Sequence, residues 1–248
     1  MASVTLGGEA LWLVSAAADD LALAAGIAPH GLLAANEAAR LATFTIAKRR
    51  RDWLLGRATA KALLQAWLAR ESVAPPAADL TIQSETTGVP TPWLVDDWGY
   101  APLPVSLSIS HCDGHALCAL IDLRDVQTTV TLGADMEKVE ARAWSFVADY
   151  FTPREVAQVQ HAADADRDAV VTAVWSAKEA ALKAAQLGLS VDTRAVDIDL
   201  GGRPPSDDWQ PLIVGWDARL NLPPAAASTG LWRRWGPYIL TLARLDRP

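Results

Sequence analysis

Two long helical stretches recur at matching places in the two halves of this chain, and that recurrence constrains its fold more than any other feature. Leu33 to Arg70 contains no proline and one glycine, Gly56, and is rich in Ala, Leu, Lys and Arg, so it reads as helical. Arg167 to Leu187 reads the same way and ends at Gly188. Each helix carries Trp and Lys, Trp53 to Lys61 in one and Trp175 to Lys183 in the other. Each half then ends in an apolar strand behind a glycine-containing turn, His115 to Leu123 and Tyr238 to Leu245. The expected architecture is α+β in two similar lobes, 1–126 and 127–248, joined near Arg124 to Thr129. At 248 residues, each lobe is long enough to bury a core of its own.

Between the helices the pattern changes period. Val105 to Ile109 alternates as a strand, Ser110 to Gly114 supplies a turn, and His115 to Leu123 continues as a second strand. Val130 to Glu137 is a further strand. Thr152 ahead of Pro153 reads as an N-cap with proline in the first helical position. Pro75 and Pro76 stop the first helical stretch, and a loop holding Gly88, Pro90 and Pro92 follows. Pro204, Pro205, Pro223 and Pro224 mark later loops.

Composition excludes several classes. With 51% hydrophobic and 21% charged residues the chain is a folding one. Lys+Arg 22 against Asp+Glu 29 gives a net charge of -7, the wrong sign for a duplex-DNA binder. Cys112 and Cys118 cannot make a disulfide framework or a four-ligand zinc site. The first basic residue is Arg40, so no positive signal-peptide region precedes it, and no apolar run reaches membrane-spanning length. A soluble, cytoplasmic protein with no nucleic-acid or membrane partner is expected.

Three features carry chemistry. Asp135 and Glu137 stand at i and i+2 on a strand and therefore project from one face, with Met136 on the other. Taken alone the pair also describes a solvated strand end, but two adjacent carboxylates suit a hard cation such as Mg2+. In the second helix Glu179 and Lys183 share a face at i, i+4 with Trp175 on the Glu side, which fits either an exposed ion pair or the wall of a partly buried site. Ser110 and His111 are adjacent on a strand, so they cannot form a triad, and they suit donation to an anion. Lys48 to Arg51 adds four positive charges in one turn. The set suits a polyphosphate-type ligand.

In order, Ser108-Ile-Ser-His111, Gly133-Ala-Asp135-Met-Glu137, and Trp175-Ser-Ala-Lys178-Glu179-Ala-Ala-Leu-Lys183 with Gly188-Leu-Ser190 resemble the 4'-phosphopantetheinyl transferases of the Sfp type. Upstream, Arg40-x3-Phe44-x3-Lys48-Arg-Arg-Arg-x-Trp53-Leu-Leu-Gly56-Arg57 is similar to that family's N-lobe segment, so the resemblance spans about residues 35 to 190. It implies two pseudo-symmetric α+β lobes in a monomer, each a small, mainly antiparallel sheet packed with helices, with coenzyme A and Mg2+ held between the lobes. The implied reaction moves phosphopantetheine from coenzyme A to a serine of an apo acyl- or peptidyl-carrier protein, of the type serving polyketide and nonribosomal peptide synthesis, and releases 3',5'-ADP.

By position, Asp135, Glu137 and Glu179 match the metal carboxylates and Lys183 the lysine near the phosphates. Ser110 and His111 match residues on the adenosine-phosphate side, and Arg40 a basic residue near the 3'-phosphate. Glu179 is the expected base and Lys183 the group that assists departure. Arg49, Arg50 and Arg57 are further candidates for the coenzyme A site. One departure is Gly88-Val89-Pro90 where many relatives have Gly-Lys-Pro, so either another cation, Arg49 or Arg50, takes over or affinity is lower. Glu37 also replaces a basic residue of some relatives. Another Mg2+-dependent phosphohydrolase and a noncatalytic coenzyme A-binding or scaffold protein remain as rivals. Trp93 and Trp98 read as packing residues, and His30, His115 and His161 have no assigned role.

Overall fold

The structure, a computed structural model, describes residues 1–84, 88–96, 99–188, 191–220, 222 and 226–247. Ser190, Trp98, Pro223 and Pro224 lie outside the described residues. The chain forms two compact units, one of Met1–Val4 with Glu9–Arg124 and one of Thr5–Gly8 with Asp125–Pro248. Both mix helices with antiparallel sheet, an α+β fold. Among the described residues, no helix is long and apolar enough to cross a membrane.

The first unit runs β1 (Ala2–Thr5), β2 (Glu9–Ala16), α1 (Leu21–Ala24), α2 (Ala35–Ala42) and α3 (Ala47–Leu68). There follow β3 (Leu80–Ser84), β4 (Pro90–Asp96), β5 (Gly99–Pro102), β6 (Val105–Cys112) and β7 (His115–Asp122). One sheet has the order β1-β2-β7-β6 and a second the order β3-β4-β5. Leu63, Leu64 and Trp67 of α3 form a core with Leu107 of β6 and Leu120 of β7. Gly56 lets α3 settle on β6, since a Cβ there would lie 3.0 Å from Ile109 Cγ2.

Three expectations change here. The stretch expected to be continuously helical breaks after Ala42, where Thr43, Thr45 and Ile46 are β-branched and the Thr43 hydroxyl bonds back to the Arg40 carbonyl. The turn expected over Ser110 to Gly114 contracts to Asp113 and Gly114, both at positive φ (47° and 76°), a geometry that matches strand twist in a two-residue hairpin. Ser110 and His111 therefore sit within β6. Finally, the expected Gly/Pro loop contains the strand β4, with Pro90 at its first position.

The second unit runs β8 (Thr129–Lys138), α4 (Trp144–Tyr150), α5 (Pro153–His161), α6 (Arg167–Ala185), β9 (Val196–Asp199), β10 (Gln210–Trp216), β11 (Ala227–Trp235) and β12 (Tyr238–Arg247). Its sheet order is β8-β12-β11-β10-β9. Thr152 caps α5 as expected and shares a capping box with Glu155. Helix α6 ends at Gln186, in the left-handed region at φ 61°, two residues before the expected Gly188. It packs on β8 through Gly133, where a Cβ would come within 1.8 Å of the Ala180 carbonyl oxygen. Only a glycine permits that approach.

A buried ion-pair latch is built the same way in both units. In the first, Glu37 of α2 pairs with Lys61 of α3 and accepts from the Ala34 and Ile82 backbone N–H groups at 3.1 and 3.0 Å. In the second, Glu155 of α5 pairs with Lys178 of α6 at 2.8 Å and accepts from Thr152 and Ile198 N–H, both at 2.7 Å. Each lysine donates also to carbonyls beside the short 3-10 turn that precedes β3 or β9: Ala77 for Lys61, and Thr193 and Val196 for Lys178. The oxygens of each carboxylate are engaged, which is how a charge pair survives full burial. Glu37, where a basic residue was a family alternative, is thus a structural group.

Candidate functional site

The strand β8 is buried on both faces, with Met136 1% exposed on the side opposite the carboxylates. On the other face Thr131, Gly133, Asp135 and Glu137 follow one another at the two-residue period of a strand. Gly133 brings α6 against this face, and the Thr131 hydroxyl donates to the Ala184 carbonyl at 2.6 Å. That contact sets Glu179 and Lys183 beside Asp135. The Lys183 ammonium donates to Asp135 Oδ1 at 2.7 Å and to the Ala134 carbonyl at 3.1 Å. Ser176 Oγ donates to Asp135 Oδ2 at 2.8 Å and lies 2.8 Å from the Thr241 hydroxyl of β12. Glu137 faces the Arg142 guanidinium at 3.3 Å.

The electrostatics follow from that crowding. Burial pushes the Glu179 carboxyl up to about 7, with Asp135 and Glu137 adding to the rise and Lys183 opposing it. Burial also raises Glu137, with Asp135 adding to the rise, against Arg142, a hydrogen bond from Trp175 and Lys183. Carboxylates crowded closely enough for Asp135 to raise both Glu137 and Glu179 are an arrangement that a hard cation would stabilise. Their oxygen donors fit Mg2+ by type. As arranged, however, Asp135 and Glu137 are partnered by Lys183 and Arg142. Among the described residues no three His, Cys, Asp or Glu side chains close into a metal-ligand set. A cation held by these carboxylates would have to displace the two basic groups from them.

Beside the cluster, Trp175 packs edge-on against Phe146 and Tyr150, with ring centroids at 5.1 and 5.5 Å. Arg142 lies over Phe146 at 4.7 Å and so joins the aromatic group to Glu137.

The basic candidates of the first unit separate by role. A cavity of about 670 Å³ is lined by Arg40 of α2, by Arg49, Trp53 and Arg57 of α3, and by His111 of β6. Ser110, its neighbour in β6, is buried and off the cavity wall, as alternation along a strand requires. Arg50 is turned away too, with its guanidinium donating at 2.8 Å to the carbonyls of Gly26 and Leu41. Arg57 is mostly buried, stacks on Trp53 at 4.9 Å and reaches Ser84 Oγ at 3.4 Å. Phe44 and Asp52 complete the wall.

The comparisons bear on the second unit. Residues 131–219 match the 4'-phosphopantetheinyl transferase superfamily. The match runs from β8 to the residues just after β10 and so includes the whole carboxylate cluster. Among solved structures, an apo-ACPS structure from Chronobacterium ammoiniagenes is similar at 17% identity, covering 49% of this chain and 99% of that one with a TM-score of 0.37. No curated protein matches.

Sequence reasoning missed Ser176, Thr241 and Arg142 as partners of the carboxylates, and Trp53 and Asp52 on the cavity wall. Ser176 stands inside the Trp175-to-Lys183 motif and was within reach. Thr241 and Arg142 gave no local signal, because only strand register and a loop bring them near.

Proposed function

We propose that the chain transfers the 4'-phosphopantetheine group of coenzyme A to a serine hydroxyl of an apo carrier protein, with release of 3',5'-ADP. The observation that carries this reading is the cluster of Asp135, Glu137 and Glu179 with Lys183, inside the segment that matches the superfamily. Asp135, Glu137 and Glu179 would hold Mg2+, which when bound offsets charge on the pyrophosphate. The cavity of the first unit would take the nucleotide end of coenzyme A, with Arg40, Arg57 and His111 as donors.

The remaining chemistry belongs to side chains. A serine hydroxyl is neutral at physiological pH, so its proton must leave as its oxygen attacks phosphorus. Glu179, on α6 and so on a different element from the strand pair Asp135 and Glu137, takes that proton. The serine oxygen bonds to the phosphorus that bears the pantetheine arm, and the bond from that phosphorus to the bridging oxygen breaks. The electron pair departs on 3',5'-ADP, and Lys183 stabilises the charge that develops there. Ser176 and Thr241 keep Asp135 oriented throughout.

Intact-protein mass spectrometry of apo carriers incubated with coenzyme A and Mg2+ tests the proposal. A mass increase of one phosphopantetheine unit is expected with the native chain and a large loss of rate with Glu179→Gln. Unchanged turnover in Glu179→Gln would remove it from the role of base. Release of phosphate from coenzyme A without any carrier would favour the hydrolase reading instead.

A further inference from the structure

Two cations stand among the carboxylates of the second unit, and the structure holds them differently. Lys183 has two good acceptors, Asp135 Oδ1 at 2.7 Å and the Ala134 carbonyl at 3.1 Å. Asp135 is secured at its other oxygen by Ser176 at 2.8 Å, and its side chain is only 6% exposed. Arg142 is held by much less. Among the described residues its one hydrogen bond runs from Nη2 to Glu137 Oε2 at 3.3 Å, and its Nε is buried with no hydrogen-bond partner. A guanidinium carries five N–H donors in a rigid fork, so a single long bond leaves most of its capacity unused.

The contact is not built as a structural ion pair. In the same unit Glu155 and Lys178 show what such a pair looks like: both side chains are fully buried, and backbone groups engage each of them as well. Glu137 and Arg142 instead keep 27% and 25% of their side chains exposed. Arg142 stands in the short connection from β8 to α4. Val139 ahead of it is tied to the Pro237 carbonyl at 2.8 Å, and the Ala143 carbonyl behind it accepts from Phe146 at 2.9 Å. The side chain therefore reaches Glu137 from an anchored backbone, and rotation about its own bonds is enough to withdraw it. Its other support is the Phe146 ring at 4.7 Å, which gives a guanidinium a seat that needs no carboxylate.

We infer that Arg142 is a built-in competitor for the divalent cation: its guanidinium occupies Glu137 until the ion arrives and gives way to it, so that binding on this side of the cluster is an exchange of one cation for another. This rests on the proposal that Asp135, Glu137 and Glu179 hold Mg2+. The exchange keeps a positive charge beside Glu137 in both states, which spares a partly buried carboxylate from standing alone next to Asp135. It also weakens ion binding by the strength of a partly exposed ion pair, about fivefold. Lys183, with two short bonds to a better-buried partner, is the more firmly held of the two cations.

Calorimetric titration of the full chain with Mg2+ tests the inference. Arg142→Ala should bind the ion about fivefold more tightly than the native chain at the same stoichiometry. Arg142→Lys, which keeps the charge without the stacked fork, should fall between them. Lys138→Ala removes the same charge from the residue next to Glu137, on the opposite strand face and 4.0 Å from Glu140, and should stay within about twofold of native. In chelator Arg142→Ala should melt below the native chain, and saturating Mg2+ should close most of that gap. Unchanged or weaker binding in Arg142→Ala, an equal gain in Lys138→Ala, or a gap that Mg2+ leaves intact would overturn the exchange while leaving the metal site standing. A native chain that binds no ion would overturn both.

Discussion

Glu179→Gln in metal-free protein should stabilise the fold at pH 8 and do little at pH 5. The carboxyl is raised from an ordinary 4.5 to about 7, chiefly by burial. Between those values the folded state binds more protons than the unfolded state, so stability falls as pH rises through that window. Below about pH 4.5 the group is neutral in both states and the penalty vanishes. Above pH 7 the ionised group is held in the fold at full cost. The whole shift corresponds to about 3 kcal/mol, and solvent access to this partly buried group reduces that to about 1–2 kcal/mol. Glutamine keeps the size and removes the charge. For a chain of this length that is a gain of about 2 to 8 °C in Tm at pH 8. Differential scanning calorimetry in chelator, comparing native and variant at both pH values, measures it. Equal shifts at pH 5 and pH 8, or a variant that is less stable at pH 8, would refute the electrostatic reading of the cluster.

Other outcomes follow from the packing. Gly133→Ala should cost about 3 kcal/mol or more, because the added methyl meets backbone atoms of α6 that cannot shift singly; denaturant melts check it. Lys178→Met should cost about 3–5 kcal/mol by stranding Glu155 in the core, and Lys61→Met should cost less, because Glu37 keeps Arg57 at 3.7 Å. The double variant Glu155→Gln with Lys178→Met should cost less than Lys178→Met alone, and a double-mutant cycle reads the coupling. Thr241→Val should leave stability within about 1 kcal/mol yet weaken cation binding, through loss of the Ser176–Asp135 orientation; fluorescence-detected Mn2+ titration separates the two effects.

What could be read from the residues follows from which interactions are local. The i, i+2 spacing of Asp135 and Glu137 fixes their shared face, and Thr152-Pro153 with Glu155 announces a helix start; both hold in the structure. The inward Met136 followed from the same alternation. The break at Thr43 to Ile46 was hidden because Ala and Leu dominate both flanks and a short β-branched run lowers helix propensity only weakly. The hairpin turn looked longer than it is because the apolar alternation of Val105, Leu107 and Ile109 stops at the polar pair Ser110 and His111. Arg50 and Arg49 are neighbours with the same chemistry, and only tertiary contacts show that one holds carbonyls and the other faces a cavity. The latches were illegible for the same reason: Glu155 and Lys178 lie in different helices, and a Glu three residues into a helix reads as a surface cap. Gly133 gave no sign of how closely α6 approaches it.

Divalent-cation binding tests the central claim most directly. Calorimetric titration of the native chain with Mg2+, run in two buffers of different ionisation enthalpy, should show one ion bound per chain with proton release near pH 7, as the metal displaces the proton of Glu179 to the buffer. Asp135→Asn and Glu179→Gln should each abolish or strongly weaken that event, and Glu179→Gln should also suppress the proton release. A chain that binds no ion, or one whose binding is indifferent to both substitutions, would contradict the account.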